Sequence, residues 1–416
     1  MTMDRRAFLK AFLSTAGAYW VAASATPFAA SARAQTLMTA AFPHGVASAD
    51  PQPDAVLLWT RAVHGTDSGA PVNLVMELSK TDDFAQLVAS REMTAGADSD
   101  HTVQVFVEGL DADTRYFYRF RAGDGSSTVG RTRTAPAPDA DRPVRFAFVS
   151  CQGFDDGFHS AYAHLIAEDM KKPENEQIDF VLHLGDFIYE KTGYKQSDPV
   201  IDALLGDDPK KSLTYKDGTP RRVPPMPDGI DYKHMEVAKT LADYRHLYKT
   251  YLSDPNLQAA RARFPFVSTW DDHEFVNNGW QSHGENGGAD VQGAPNQTRK
   301  VAANQAWSEY IPAVLSKAAS LNGVANPARD FTPVDVKDVP FSWNGEDAPL
   351  PEREPNNVAA INSLVIYRSL RFGAHVDLMI SDCRTFRSRP PLPDEWSERY
   401  EEVAGPLPSA AQVELA

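Results

Sequence analysis

The chain has 416 residues, 42% hydrophobic and 23% charged, which is enough apolar material for two cores. Its formal net charge of −15 argues against a nucleic acid or an anionic membrane as partner, since both reward positive surface. A phosphate-bearing substrate stays compatible, because a bound cation reverses the local field.

The N-terminus reads MTMDRRAFLKAFLSTAGAYWVAASATPFAASARAQ. Arg5 and Arg6 precede Phe8, Leu9 and Lys10, an Ala-rich apolar segment follows, and Ala32-Arg33-Ala34 stands before Gln35. That order is a basic region, an apolar region and an A-x-A cleavage site. The paired arginines with Phe-Leu-Lys resemble a twin-arginine export signal. Residues 1–34 are therefore expected to be a signal peptide read by the twin-arginine translocase, which delivers the protein to the periplasm or the cell exterior. After residue 40 no apolar run reaches the roughly 18 residues of a membrane span, so no stable span is expected in the mature chain. A monomer is the expected state.

Residues 38–135 read as short strands. DAVLLWTRAV, PVNLVMELS, HTVQVFVEGL and RYFYRFRAG alternate or run apolar between Gly, Asp, Pro and Ser turns, a spacing that suggests a β-sandwich. LDADTRYFYRF resembles the tyrosine corner of fibronectin type III and immunoglobulin-like sandwiches. TRTAPAPDADRP is rich in Pro and Ala and reads as a linker, assigned to residues 136–143.

From residue 144 to 416 the pattern changes. VRFAFVS is a strand, GFHSAYAHLIAEDMKK a helix with Phe158, Tyr162, Leu165 and Ile166 on one face, and IDFVLHLGD a second strand. Strand, helix and strand at this spacing indicate a parallel sheet. Residues 191–235 read as a polar surface insertion. EVAKTLADYRHLYKTYLSDPNLQAARAR and TRKVAANQAWSEYIPAVLS read as helices, FPFVSTW as a third strand, and AAINSLVIYRSLRFGAHVDLMISD as two strands joined at Phe-Gly.

Chemistry collects where strands end. Cys151 follows FAFVS, Asp186 follows VLHLG with Tyr189 three residues on, and Asp271, Asp272 and His273 follow FVSTW. Ligands of open α/β sheets bind outside the carboxyl ends of the strands. Carboxylates bridge cations, and a thiolate with a phenolate suits ferric iron, while the remaining oxygen donors suit calcium or magnesium. Such a centre clamps a phosphoryl group and activates water, with His273 placed to protonate the leaving oxygen or bind phosphate. Taken singly, Cys151 and Tyr189 read as packing and Asp186 as a turn residue. His183, inside its strand, reads as a core histidine. Cys151 and Cys383 are the only cysteines; an oxidising compartment permits a disulfide, which a metal role for Cys151 disfavours.

FPHGVASADPQPDAVLLWTR, SCQ, GDFIYE and TWDDHEF, with Asn277 and Asn278 following, are similar in order and type to the alkaline phosphatase D (PhoD) family of the metallophosphoesterase superfamily. The resemblance implies an alkaline phosphatase and phosphodiesterase with one ferric ion and two calcium ions; zinc or manganese is the alternative. It implies that Cys151 and Tyr189 ligate iron and that Asp186 bridges iron and calcium. Asp272 stands at the superfamily's asparagine ligand and His273 at its catalytic histidine. Asp271, Asn277 and Asn278 stand as weaker metal ligands or as support for the ligands.

The superfamily's late Gly-x-His motifs have no counterpart here: after His273 come only His283, in a Gly- and Asn-rich loop, and His375, in FGAHVDLM. The expected fold is thus an α+β two-domain chain. An immunoglobulin or fibronectin III-like β-sandwich precedes an α/β metallophosphoesterase sandwich that is incomplete at its C-terminal side. The expected function is a secreted metal-dependent phosphoesterase acting on small-molecule or polymer phosphate esters. The competing reading is a non-catalytic secreted protein that binds a glycan or wall polymer and carries a degenerate phosphoesterase domain.

Overall fold

The computed structural model describes residues 40–65, 69–192, 213–219, 221–232, 235–284, 294–316, 328–341 and 348–388. The expected signal peptide lies outside the described residues. Among them, no helix is long and apolar enough to cross a membrane.

The first segment contributes strands β1 (Val46–Ala49), β2 (Ala55–Arg61), β3 (Val72–Ser79), β4 (Leu87–Ala95), β5 (Thr102–Glu108), β6 (Arg115–Ala122) and β7 (Gly130–Arg133). Side chains alternate between faces of a strand, so β3 buries Val72, Leu74, Met76 and Leu78, and β6 buries Tyr116, Tyr118 and Phe120. They share one core with Val46, Val56, Leu58, Val103 and Val107 from β1, β2 and β5. Each such side chain contributes roughly 1.5–3 kcal/mol through burial. The Tyr116 hydroxyl accepts a hydrogen bond from the Asp111 backbone N–H at 2.9 Å, which fastens the turn before β6.

The later strands are β8 (Phe146–Val149), β9 (Phe180–His183), β10 (Pro265–Ser268), β11 (Arg368–Phe372) and β12 (Val376–Ile380). One sheet runs in the order β8-β9-β10-β1-β2-β5, and a second in the order β7-β6-β3-β4. The first draws strands from both sides of residues 136–143, because β1 pairs in parallel with β10. Within residues 136–143, Arg142 bridges Asp113 and Asp179. β8, β9 and β10 are parallel neighbours, with Val149 opposite His183 and His183 opposite Ser268. Their carboxyl ends therefore meet at one edge.

Helices α1 (Ser160–Met170), α2 (Leu241–Tyr251), α3 (Pro255–Arg263) and α4 (Gln297–Tyr310) contribute to the second core, and α5 (Pro355–Ile361) packs on α4. On α1 only Tyr162 of the expected face is fully buried; Leu165 and Ile166 are half-buried, and Phe158 precedes the helix and is exposed. The single helix expected across residues 236–263 is two. Thr240 and Asp243 form a capping box that starts α2, and Asp254 caps α3 at Pro255, where the chain turns. The apolar run AAINSLVIYRS begins in α5 before it reaches β11.

Arg368 on β11 makes a bidentate, fully buried ion pair with Asp50, at 2.7 and 2.8 Å. Asp50 also accepts the Val314 N–H at 2.7 Å, and Arg368 donates to the Ser268 carbonyl at 3.0 Å. The β11-β12 hairpin packs Leu370, Phe372 and Ile380 on Phe180 and Val267. Beside it, on edge strand β8, Phe146 is 47% exposed and Phe148 69%, while Met379 of β12 is 76% exposed.

Candidate metal centre

The loops after β8 and β9 are tied together through their backbones. The Cys151 N–H donates to the Gly185 carbonyl and the Gln152 N–H to that of Asp186, both at 3.2 Å. Gln152 Nε2 donates to the Phe187 carbonyl at 2.9 Å, and Tyr162 of α1 donates to Gln152 Oε1 at 2.6 Å. Cys151 and Asp186 both lie in the left-handed region, at φ 56° and 55°. Such backbone is sparsely populated for non-glycine residues and persists where the surroundings hold it.

Gly185, at φ +109°, lets the loop after β9 pass directly against the loop after β10. A Cβ there would fall 2.2 Å from the Asp271 backbone nitrogen. Gly185→Ala is therefore expected to destabilise the fold by about 2–4 kcal/mol, combining φ strain with overpacking. Chemical denaturation measures the cost, and a variant as stable as wild type contradicts the close approach.

Glu274 holds the same two loops from inside. Its Oε2 accepts the Asp186 and Asp271 N–H groups at 3.1 and 3.0 Å, and its Oε1 accepts the Phe187 N–H at 2.6 Å. Burial, with the neighbouring Asp186, pushes its carboxyl up to about 8 against the pull of these donors.

In front of this frame the Asp186 carboxylate is the focus. Cys151 Sγ lies 3.3 Å and the Tyr189 hydroxyl 3.4 Å from its Oδ2, while the His273 backbone N–H donates to Oδ1 at 3.4 Å. Asp186, Asp272 and His273 each offer a ligand atom, all within 4.8 Å of one another. Burial raises the Asp186 carboxyl; His273 opposes the rise and Asp272 adds to it. Ser150 lowers the Cys151 thiol, but burial and Asp186 raise it on balance. Burial and then Asp186 raise the Tyr189 phenol. Burial and crowded anionic donors both disfavour the charged forms, and a cation placed among them would favour those forms. Carboxylates beside a thiol, a phenol and an imidazole therefore fit a metal cation.

His273 is oriented by a carboxylate that sequence reasoning did not single out. Its Nδ1 lies 2.6 Å from Glu190 Oε2, and Glu190 Oε1 accepts the Asn277 N–H at 2.8 Å. Burial alone would lower the imidazole, but the Glu190 bond and charge carry it up to about 9. Tyr189 packs on the ring at 4.2 Å between centroids.

The other residues expected here are placed differently. Asp271 faces Arg384, with Nε to Oδ1 at 2.6 Å and Nη2 to Oδ2 at 3.1 Å. The Asn278 N–H donates to Asp272 Oδ2 at 2.6 Å, and Asn277 contributes its backbone N–H to Glu190. Glu190 closes GDFIYE, Glu274 closes DDHE and Arg384 follows the last strand. Their places beside strand ends were the one signal in the sequence. Cys151 and Cys383 are free thiols, and Cys383 Sγ lies 3.5 Å from Asp271 Oδ1. His183 is fully buried and lowered to about 3 by that burial, as a core histidine is. His375 pairs with Asp141 at the surface, at 2.8 Å. The His283 ring stacks on Trp280.

The model of the PhoD-like phosphatase family matches residues 146–409, and that of the PhoD-like phosphatase N-terminal domain matches residues 28–136. Alkaline phosphatase D of Bacillus subtilis (strain 168) is 35% identical over 324 residues, covering 76% of this chain and 49% of that protein. The solved structure of PhoD is 31% identical, with a TM-score of 0.56, covering 83% of this chain and 53% of that one. The chain spans about half the length of these two relatives. With both parts of its sequence matched by the family's two models, the chain belongs to the PhoD-like phosphatase family.

Proposed function

We propose that the chain is a secreted metal-dependent phosphoesterase, an alkaline phosphatase and phosphodiesterase, exported to the periplasm or beyond by the twin-arginine route. The observation that carries this reading is the convergence of Cys151 and Tyr189 on Asp186, with Asp272 and His273 grouped on the same carboxylate. Cys151, Tyr189 and Asp186 would hold ferric iron, and Asp186 with Asp272 would hold calcium. Metal ions held there would supply Lewis acidity toward phosphoryl oxygens and a nucleophile from water at neutral pH. The protein's part is positional. Glu274 fixes the backbone that carries Asp186 and Asp271. Glu190 holds His273 through Nδ1, which orients the ring to donate a proton to the departing oxygen. The Tyr116–Asp111 bond supports an immunoglobulin-like reading of the N-terminal sandwich.

The purified chain tests this reading directly. Hydrolysis of bis-p-nitrophenyl phosphate is expected, lost on chelation and restored by iron with calcium. A visible charge-transfer band should accompany the iron. A protein that turns over the ester unchanged after complete metal removal would sink the proposal, as would a colourless active protein for the iron assignment.

A further inference from the structure

We propose that Arg384 binds the phosphate group of the substrate, an inference that rests on the phosphoesterase reading. Arg384 lies in the loop after β12, and that loop is fixed on every side. Asp382 Oδ1 accepts the Arg384 N–H at 3.1 Å, the Thr385 N–H at 2.8 Å and Trp270 Nε1 at 2.9 Å. The Arg384 carbonyl accepts the Gln281 N–H at 3.0 Å. The guanidinium is as firmly set as the loop. Its Nε and Nη2 fork onto Asp271, and Nη2 stands 3.5 Å from Asp272 Oδ1. Asp272 belongs to the group with Asp186 and His273. One face of the fork thus touches the carboxylates of the candidate centre.

The other side of the fork is uncommitted. Nη1 has no hydrogen-bond partner among the described residues, and the side chain keeps 19% exposure. A guanidinium whose plane is fixed by one carboxylate offers its remaining N–H groups at defined angles, the geometry that planar phosphate recognition uses. The other cations near these loops are turned inward. Lys300 is buried over the Trp270 and Phe275 rings, and Arg299 donates to the Tyr244 hydroxyl. Of these three cations, Arg384 is the one that meets both the carboxylates and open solvent. It also assigns Asp271 a part: its oxygens hold the fork.

The test uses the full chain loaded with metal, with inorganic phosphate as the probe. Calorimetric titration should show phosphate binding by wild type. R384Q is expected to weaken it by about 10- to 100-fold, the worth of a charge-assisted hydrogen bond. The KM for bis-p-nitrophenyl phosphate should rise with it, and R384K, which keeps charge without the fork, should fall between. Metal content and melting temperature are expected to stay at wild-type values. Unchanged phosphate affinity in R384Q overturns the proposal. So does a parallel loss of metal, which would mean that Arg384 acts through Asp271 and Asp272. Wild type that binds phosphate but turns over no ester, with that binding weakened in R384Q, would support Arg384 and overturn the esterase reading, so the two failures are distinct.

Discussion

Asp186→Asn is expected to abolish metal binding and turnover together while leaving the fold intact. The substitution keeps the shape of the side chain. It also keeps the backbone N–H bonded to Glu274, and asparagine tolerates the left-handed backbone that position requires. What it removes is the charge around which Cys151 Sγ, the Tyr189 hydroxyl and the His273 backbone N–H gather. One of the two oxygens becomes an NH₂ group, which repels a cation. Metal catalysis is worth several kcal/mol of transition-state stabilisation, so activity should fall by about a thousandfold or more. Metal analysis and bis-p-nitrophenyl phosphate hydrolysis on the same preparation check both halves. A variant that keeps iron and full activity removes Asp186 from the centre.

The second large effect lies away from the site. Asp50→Asn is expected to lower stability by about 3–5 kcal/mol, because it strands the Arg368 guanidinium in a dry interior. Asparagine accepts the φ of 43° at this position, so the loss isolates the charge rather than the turn. The pair joins four distant stretches: the end of β1, the segment after α4 through Val314, the end of β10 through Ser268, and β11. Whole domains are stable by only about 5–15 kcal/mol, so the loss is a large share. Urea unfolding should show a lower midpoint, and a change under about 1 kcal/mol would show that the pair is not desolvated as drawn. Replacing both partners by apolar residues should cost less than Asp50→Asn alone, since no buried charge is then left over.

Much of this was readable in the sequence, and for a physical reason. Alternation in PVNLVMELS and RYFYRFRAG is a local property of a strand; β3 follows it from Val72 to Leu78 and β6 along its length. The parallel strands β8, β9 and β10 were legible from their apolar runs, and parallel neighbours bring their carboxyl ends to one edge. Cys151, Asp186, Tyr189, Asp272 and His273 could be singled out that way. The supporting contacts could not. Glu274 bonds backbone N–H groups up to 88 residues away, and Glu190 meets His273 across 83 residues. Nothing in the local pattern of either glutamate encodes its partner. The pairing of β1 with β10 across more than two hundred residues was hidden for the same reason, although each strand was legible alone. The break between α2 and α3 was written in Ser253-Asp254-Pro255, where an N-cap and an N1 proline outweigh the helical periodicity on either side.

The edge that β8 forms among the described strands of the main sheet bears on how the molecules behave in a crowded solution. At a formal charge of −15, the chains repel one another over their whole surfaces. Among the described residues, Phe146 and Phe148 sit on a strand that is paired on one side only, and Met379 lies exposed on β12. Unpaired strand edges beside apolar side chains favour edge-to-edge association. The two tendencies respond oppositely to salt. Ions shorten the reach of the repulsion to about 8–10 Å near physiological strength and leave apolar attraction intact. Colloidal stability of this chain therefore decreases as ionic strength rises, with a short stretch of sheet edge as the point of first contact.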